Sequence, residues 1–142
     1  MCVRDHMSGD PVALKPGDNL RKARQLIMDF GLRRFPVVEE GKLVGIVTDR
    51  DVRQADISSA VVQERRYQDY LLDRIQIAGI MTPDPITVSP DTPLVTAAQL
   101  LLENKIGGLP VVDKGCLVGI ITETDMIVTL IDLLKKSPGT DS

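Results

Sequence analysis

The apolar positions of this chain follow two periods in turn, and the order of the periods repeats. Leu20, Ala23, Ile27 and Phe30 recur at helical spacing, as do Leu94, Ala97 and Leu101 with the neighbouring Leu102. Each helical pattern follows a short apolar stretch between prolines, PVALKP (11–16) and PITVSP (85–90), which reads as a strand. Each is followed by a strand, a glycine-containing turn and another strand, FPVVEEGKLVGIVT (35–48) and LPVVDKGCLVGIIT (109–122), which read as hairpins. A second helix then begins, and in the second copy it runs through MIVTLIDLL (126–134). Asp18 and Thr92 are the expected N-caps of the first helices, with Pro93 at the favoured first helical position. Those helices are expected to end near Gly31 and Gly107.

Sliding the chain on itself pairs Met7 with Met81, Pro16 with Pro90, Leu20 with Leu94, Pro36 with Pro110 and Asp51 with Asp125, without a gap. The chain is a duplicated β-α-β-β-α unit, an α/β (α+β) fold. Its expected boundaries are 1–57 for the first unit, 58–74 for a connecting helix, 75–136 for the second unit and 137–142 for a flexible tail. Lead-ins at Met1 to Val3 and Ile75 to Ile77 are expected to add an edge strand to each unit. Units of fewer than about 60 residues keep too much surface for their volume, so the two are expected to pack as one body. The insertion from Gln54 to Arg74 has no counterpart. Val61, Val62, Tyr70, Leu71 and Ile75 give it a partial apolar face, suited either to packing on the repeats or to a partner.

The motif that ends each hairpin carries two readings. In GIVTDRD (45–51) and GIITETD (119–125) a threonine precedes an aspartate by three residues, which is a capping box at a helix start. Helix starts also bind phosphate through free N–H groups and the positive end of the dipole.

Composition narrows the function. With aromatics at 3% the core must be aliphatic, and a net charge of −3 argues against bulk attraction to nucleic acid or an anionic membrane. Cys2 and Cys116 have no motif spacing, which fits a reducing compartment. Neither a signal peptide nor a membrane span is legible, so a soluble, cytoplasmic protein is expected. His6 aligns with the aliphatic Ile80 and Cys116 with Lys42 of the equivalent turn, so neither is read as functional. Asp49, Asp51, Glu123 and Asp125 lie at helix starts without a nearby nucleophile or second base, and no phosphate-binding or dinucleotide glycine motif is present. No metal site and no enzymatic activity are expected.

The tandem order, the FPVVEE and LPVVDKG strands, the GIVTDRD and GIITETD endings and the openings MSGDPVALKPGDNL and MTPDPITVSPDTPL resemble a pair of CBS domains, a Bateman module. With the intervening YQDYLLDRIQIAGIMT, the chain looks most like the CBS pair of acetoin-utilisation protein B-like bacterial proteins, many of which carry a further C-terminal domain. The resemblance implies two units around a pseudo-twofold axis and two clefts for adenine nucleotides: AMP, ADP, ATP, NAD or S-adenosylmethionine. The motif Asp would hold ribose hydroxyls and the motif Thr would lie near phosphate.

Carried over, one cleft comprises Val12, Ala13, Leu32, Arg33 and Arg34 with Thr122, Glu123 and Asp125. The other comprises Ile86, Thr87, Ile106, Gly107 and Gly108 with Thr48, Arg50 and Asp51. Leu32 and Ile106 would face adenine, and backbone near Ala13 and Thr87 would read its edge. Arg33 and Arg34 would offer the first cleft charge-assisted bonds to phosphate opposed by Glu123, although both also fit a solvated edge. The second cleft would gain room from its glycines and a cation from Arg50 or Lys105. The implied function is a non-enzymatic ligand sensor acting as a homodimer on an effector protein, with Mg²⁺ beside a polyphosphate left open. The alternative is a structural oligomerisation module with degenerate clefts.

Overall fold

The residues that alternate most strongly form two hairpins with the same register. The computed structural model describes residues 1–60 and 65–136, with side chains described outside 56–60 and 65–68. In chain order the elements are β1 (Ser8–Gly9), α1 (Leu20–Phe30), β2 (Arg34–Glu39), β3 (Lys42–Thr48), α2 (Asp49–Ala60), α3 (Arg65–Arg74), β4 (Thr82–Pro83), α4 (Leu94–Asn104), β5 (Gly108–Asp113), β6 (Cys116–Thr122) and α5 (Glu123–Lys136). Short 3-10 turns occupy Val3–Asp5 and Ile77–Gly79. In the hairpin turns Glu40 and Gly41 have φ of 50° and 80°, and Lys114 and Gly115 have 51° and 81°. Positive φ at both central residues makes the tight turn whose twist matches the strands it joins, which is why glycine holds the second place.

The chain divides into two compact units, Pro11–Pro85 and Met1–Asp10 with Ile86–Ser142. Within Pro11–Pro85, β3 lies between β2 and β4, and α1, α2 and α3 pack on one another. Its core joins Leu14, Leu20, Ala23, Phe35, Val37, Val47, Val52, Leu72 and Ile77. In the other unit β6 lies between β5 and β1, with α4 and α5 beside the sheet. Its core joins Val3, Val88, Leu94, Ala97, Leu101, Leu109, Val111 and Ile121. Both cores are aliphatic apart from Phe35, and each fully buried Val, Leu, Ile or Phe side chain contributes roughly 1.5–3 kcal/mol.

The units are not the sequence repeats, because each repeat lends its opening segment to the other. Val3 and Ile77, aligned in sequence, are both 0% exposed, but Val3 joins the second repeat's core and Ile77 the first's. Nor do these lead-ins become edge strands. Cys2 and Gln76 form single bridges to Pro93 and Asn19, after which Val3–Asp5 and Ile77–Gly79 coil into 3-10 turns closed by His6 N–H to Val3 O and Ile80 N–H to Ile77 O. The edge strands come later in each segment. Ser8 and Gly9 pair with Ile120 and Gly119, and Thr82 and Pro83 with Ile46 and Gly45.

PVALKP and PITVSP shrink from strands to one bridge each, Leu14 to Val37 and Val88 to Val111. Flanking prolines lack an N–H, so only the central residue enters the ladder, as when Leu14 N–H donates to Pro36 O at 2.9 Å. The N-caps also move by one residue. Asn19 caps α1 by accepting from Lys22 N at 3.0 Å, and Pro93 precedes α4 without a side-chain cap. Asp18 and Thr92 instead close the preceding turn, accepting from Lys15 N and Ser89 N. Gly31 ends α1 in the left-handed conformation as expected, but α4 stops earlier, with Lys105 in that conformation in place of Gly107. Phe30, the last residue of α1, is 59% exposed, and Leu102 lies about 100° around α4 from buried Leu101 and is 79% exposed.

α3 is held on α1 by Arg21, whose Nε donates to Asp73 Oδ1 at 2.6 Å and whose guanidinium also donates to Asp69 O at 3.0 Å. The bond to Asp73 raises the Arg21 pKa. Among the described side chains of this helix Leu72 is the buried one; Tyr70 stays half exposed beneath the Arg74 guanidinium. Val61 and Val62 and the expected tail at 137–142 lie outside the described residues.

Candidate functional site

Both hairpins deliver a threonine to the start of a helix, and both motifs fold into capping boxes. Thr48 N–H donates to Asp51 Oδ2 at 2.9 Å, and Asp51 N–H donates to Thr48 Oγ1 at 3.1 Å. Thr122 N–H donates to Asp125 Oδ2 at 2.8 Å, Thr122 Oγ1 donates to the same oxygen at 2.9 Å, and Asp125 N–H returns to Thr122 Oγ1 at 3.3 Å. Asp49 N–H donates to Arg33 O at 2.8 Å and Glu123 N–H to Gly107 O at 3.0 Å. Two of the first three helical N–H groups are therefore satisfied within the protein. The first turns also carry two acids each, Asp49 and Asp51, and Glu123 and Asp125. That charge opposes an anion at the bare helix end, so phosphate would need cations from elsewhere. Each motif carboxylate commits Oδ2 to the cap, and its Oδ1 has no partner among the described residues.

The expected site residues fall eight to each unit. Val12, Ala13, Leu32, Arg33, Arg34, Thr48, Arg50 and Asp51 lie in Pro11–Pro85. Ile86, Thr87, Ile106, Gly107, Gly108, Thr122, Glu123 and Asp125 lie in the other unit. Within a unit the segment before β2 or β5 meets the helix start. Arg34 pairs with Thr48 and Gly108 with Thr122, and the Arg33 and Gly107 carbonyls take the helix N–H groups. Leu32 is 36% and Ile86 41% exposed; Arg33, Arg50, Ala13 and Thr87 are also exposed, while Thr48, Asp51, Thr122 and Asp125 are half-buried. Val12 and Ile106 pack partly against their own unit's core.

One polar cluster lies outside the sequence expectations. Thr129, on α5 one turn after Asp125, is 7% exposed, and its Oγ1 donates to Asp125 O at 2.9 Å. His6 Nδ1 lies 3.1 Å from the same Oγ1. His6 belongs to a segment in which the Cys2 thiol hydrogen-bonds Asp5 and, with the Cys2 backbone bond and the nearby imidazole, holds its carboxyl below the ordinary range. The repeat aligns His6 with Ile80, and Ala55 stands four residues after Asp51 as Thr129 does after Asp125; both are partly buried apolar neighbours of the other core. The paired change from Ile and Ala to His and Thr is the one trace the cluster leaves in the sequence.

Among the described residues, no group of three or more His, Cys, Asp or Glu is arranged for a metal, and no helix is long and apolar enough to cross a membrane. A groove of about 400 Å³ separates α4 from α5, lined by Leu101, Leu102, Met126 and Ile127 with Lys105 and Glu123. It continues into exposed Leu130, Ile131 and Leu134, which with Ile127 form one stripe along α5.

Residues 3–58 and 77–132 match the CBS domain family. A CBS domain-containing protein of Dictyostelium discoideum is 38% identical over 138 residues, 96% of this chain and 95% of that protein. Among solved structures, the acetoin utilization protein AcuB of Vibrio cholerae is 31% identical and superposes with a TM-score of 0.80, covering 100% of this chain and 98% of its own. CBSX2 in complex with AMP is 30% identical with a TM-score of 0.76, covering 93% and 97%. The CBS domain pair of protein MJ0100, in complex with 5-methylthioadenosine and S-adenosylmethionine, is 28% identical with a TM-score of 0.77, covering 94% and 98%.

Proposed function

This chain belongs to the CBS domain family as a tandem pair, and we propose that it is a non-enzymatic sensor of an adenosine-containing small molecule. What carries the reading is the Thr-x-x-Asp box, formed twice with nearly the same distances and each time with Asp Oδ1 left over among the described residues. A ribose offers two adjacent hydroxyl donors, and a carboxylate oxygen not engaged in the cap accepts them. The complexes of CBSX2 with AMP and of MJ0100 with 5-methylthioadenosine and S-adenosylmethionine support the same ligand class.

In the first proposed site Asp125, Thr122 and Glu123 act with Val12, Ala13, Leu32, Arg33 and Arg34. In the second Asp51, Thr48 and Arg50 act with Ile86, Thr87, Ile106, Gly107 and Gly108. Because the helix starts are acidic, phosphate selectivity rests on the guanidiniums of Arg33 and Arg34. Mg²⁺ accompanies a polyphosphate only if that site selects one. The ligand signals through unequal affinity for two arrangements of the protein, read by an effector; equal affinity shifts nothing. A second copy is the proposed partner of the α4/α5 face. α5 begins with Glu123 and Asp125 and ends with Lys135 and Lys136, so an antiparallel mate sets opposite charges side by side along the apolar stripe.

The test is calorimetric titration of nucleotide-free protein with AMP, ATP, NAD and S-adenosylmethionine, repeated on Asp51→Ala and Asp125→Ala. Asp→Asn variants, which keep an acceptor for the cap, serve as controls. Each alanine should abolish one saturable site. Arg33→Ala with Arg34→Ala should weaken ATP more than adenosine, and at the site that Asp125→Ala abolishes. A loss at the Asp51 site would exchange the two assignments. A folded protein that binds none of these ligands would leave a structural oligomerisation module.

A further inference from the structure

His6 is the single histidine of the chain, and its environment defines its tautomer. The Thr129 hydroxyl has one proton, and that proton is directed to Asp125 O at 2.9 Å. Thr129 Oγ1 can therefore only accept from the ring, so Nδ1, 3.1 Å away, carries hydrogen.

The bond joins two structures that meet at the motif. On one side the segment holding His6 runs along β6: Met7 packs against the unit's core, and Ser8 and Gly9 pair with Ile120 and Gly119, just before Thr122. On the other side Thr129 grips the carbonyl of Asp125, whose own carboxylate closes the capping box. Thr129 is 7% exposed, so removing His6 leaves a nearly buried hydroxyl without its donor. The other unit has Ile80 and Ala55 at these places, each packed against its core, and neither side chain can form a hydrogen bond.

We propose that His6 is a positioning residue for the Asp125 ligand site. Its Nδ1–H fixes Thr129, and through it the first turn of α5. It fastens to that turn the segment that continues within a few residues to Val12 and Ala13, the proposed adenine contacts. This rests on the adenosine-sensor reading and adds an asymmetry to it: ligand at the Asp125 site and the His6 bond stabilise each other by linkage, whereas the Asp51 site has no such tie.

The experiment follows AMP, with S-adenosylmethionine as second probe, on the full chain by calorimetry and by ¹H–¹⁵N correlation of the imidazole, which one histidine makes unambiguous. Wild-type protein should show the Nδ1–H tautomer. Ligand should shift the imidazole signals, a shift lost in Asp125→Ala and kept in Asp51→Ala. His6→Ile, the repeat's own residue, should lower affinity at the Asp125 site about threefold to tenfold and leave the Asp51 site unchanged, as expected for one hydrogen bond. His6→Asn, whose Nδ2 reaches the same oxygen, should restore most of the loss, and Thr129→Ala should reproduce it. An Nε2–H tautomer, unchanged affinity at the Asp125 site in His6→Ile, or equal weakening at both sites would overturn the positioning role while the sensor reading stands. Wild-type protein that binds neither probe would remove both.

Discussion

At the scale of single residues, the motif glycines are set by what lies against them. A Cβ built on Gly119 would come within 2.7 Å of both Met7 Sδ and the Ser8 carbonyl oxygen. On Gly45 it would meet Met81 Sδ at 2.5 Å and the Thr82 oxygen at 3.0 Å. A methionine tip can swing away, but the carbonyl of a paired edge strand cannot do so without losing the pairing. Gly119→Ala is therefore expected to destabilise by about 1–3 kcal/mol, and Gly45→Ala by less, when measured by urea unfolding. Sequence repetition revealed these glycines and the methionines aligned with each other, Met7 and Met81, but not that they touch. The capping boxes were legible because three residues separate their partners. The bond from His6 to Thr129 spans 123 residues, and no local rule reaches that far.

At the scale of elements, the hairpins and the helix pairs were legible because the hydrophobic period and the turn glycines agree on them. The expected caps were displaced by one residue because Asp18 and Thr92 have a competing local partner, the turn N–H three residues earlier, which leaves Asn19 nearer the helix. The strands between prolines failed for want of donors. The largest unabsorbed signal is the stripe Ile127, Leu130, Ile131 and Leu134, each 45% or more exposed on α5. The first repeat's helices differ, because α3 packs on both α1 and α2. If the stripe is the contact with a second copy, Ile131→Glu with Leu134→Glu should convert a dimer to a monomer in light scattering, with the circular dichroism of the fold retained. A wild-type protein that is monomeric at every accessible concentration would refute the contact.

At the scale of the whole molecule, the exchange of opening segments was hidden from the sequence because Val3 and Ile77 are aligned, and either core offers a small aliphatic socket. Its consequence is that damage crosses the repeat boundary. Ile77→Ala is expected to cost about 2–5 kcal/mol and to speed amide exchange most in α1 and β2, although the residue belongs to the second repeat. Val3→Ala should act instead on α4 and β5. Exchange that accelerated only within the mutated residue's own repeat would contradict this. The same exchange orders events during synthesis. Pro11–Pro85 is contiguous and has all its parts once β4 has left the ribosome, so it can close first. Met1–Asp10, made before Pro11–Pro85, must wait for β6 before they find their core, leaving Val3 and Met7 unburied until then. This early-made segment is therefore late to fold, and a nascent chain stalled before β6 should still present it to chaperones and proteases.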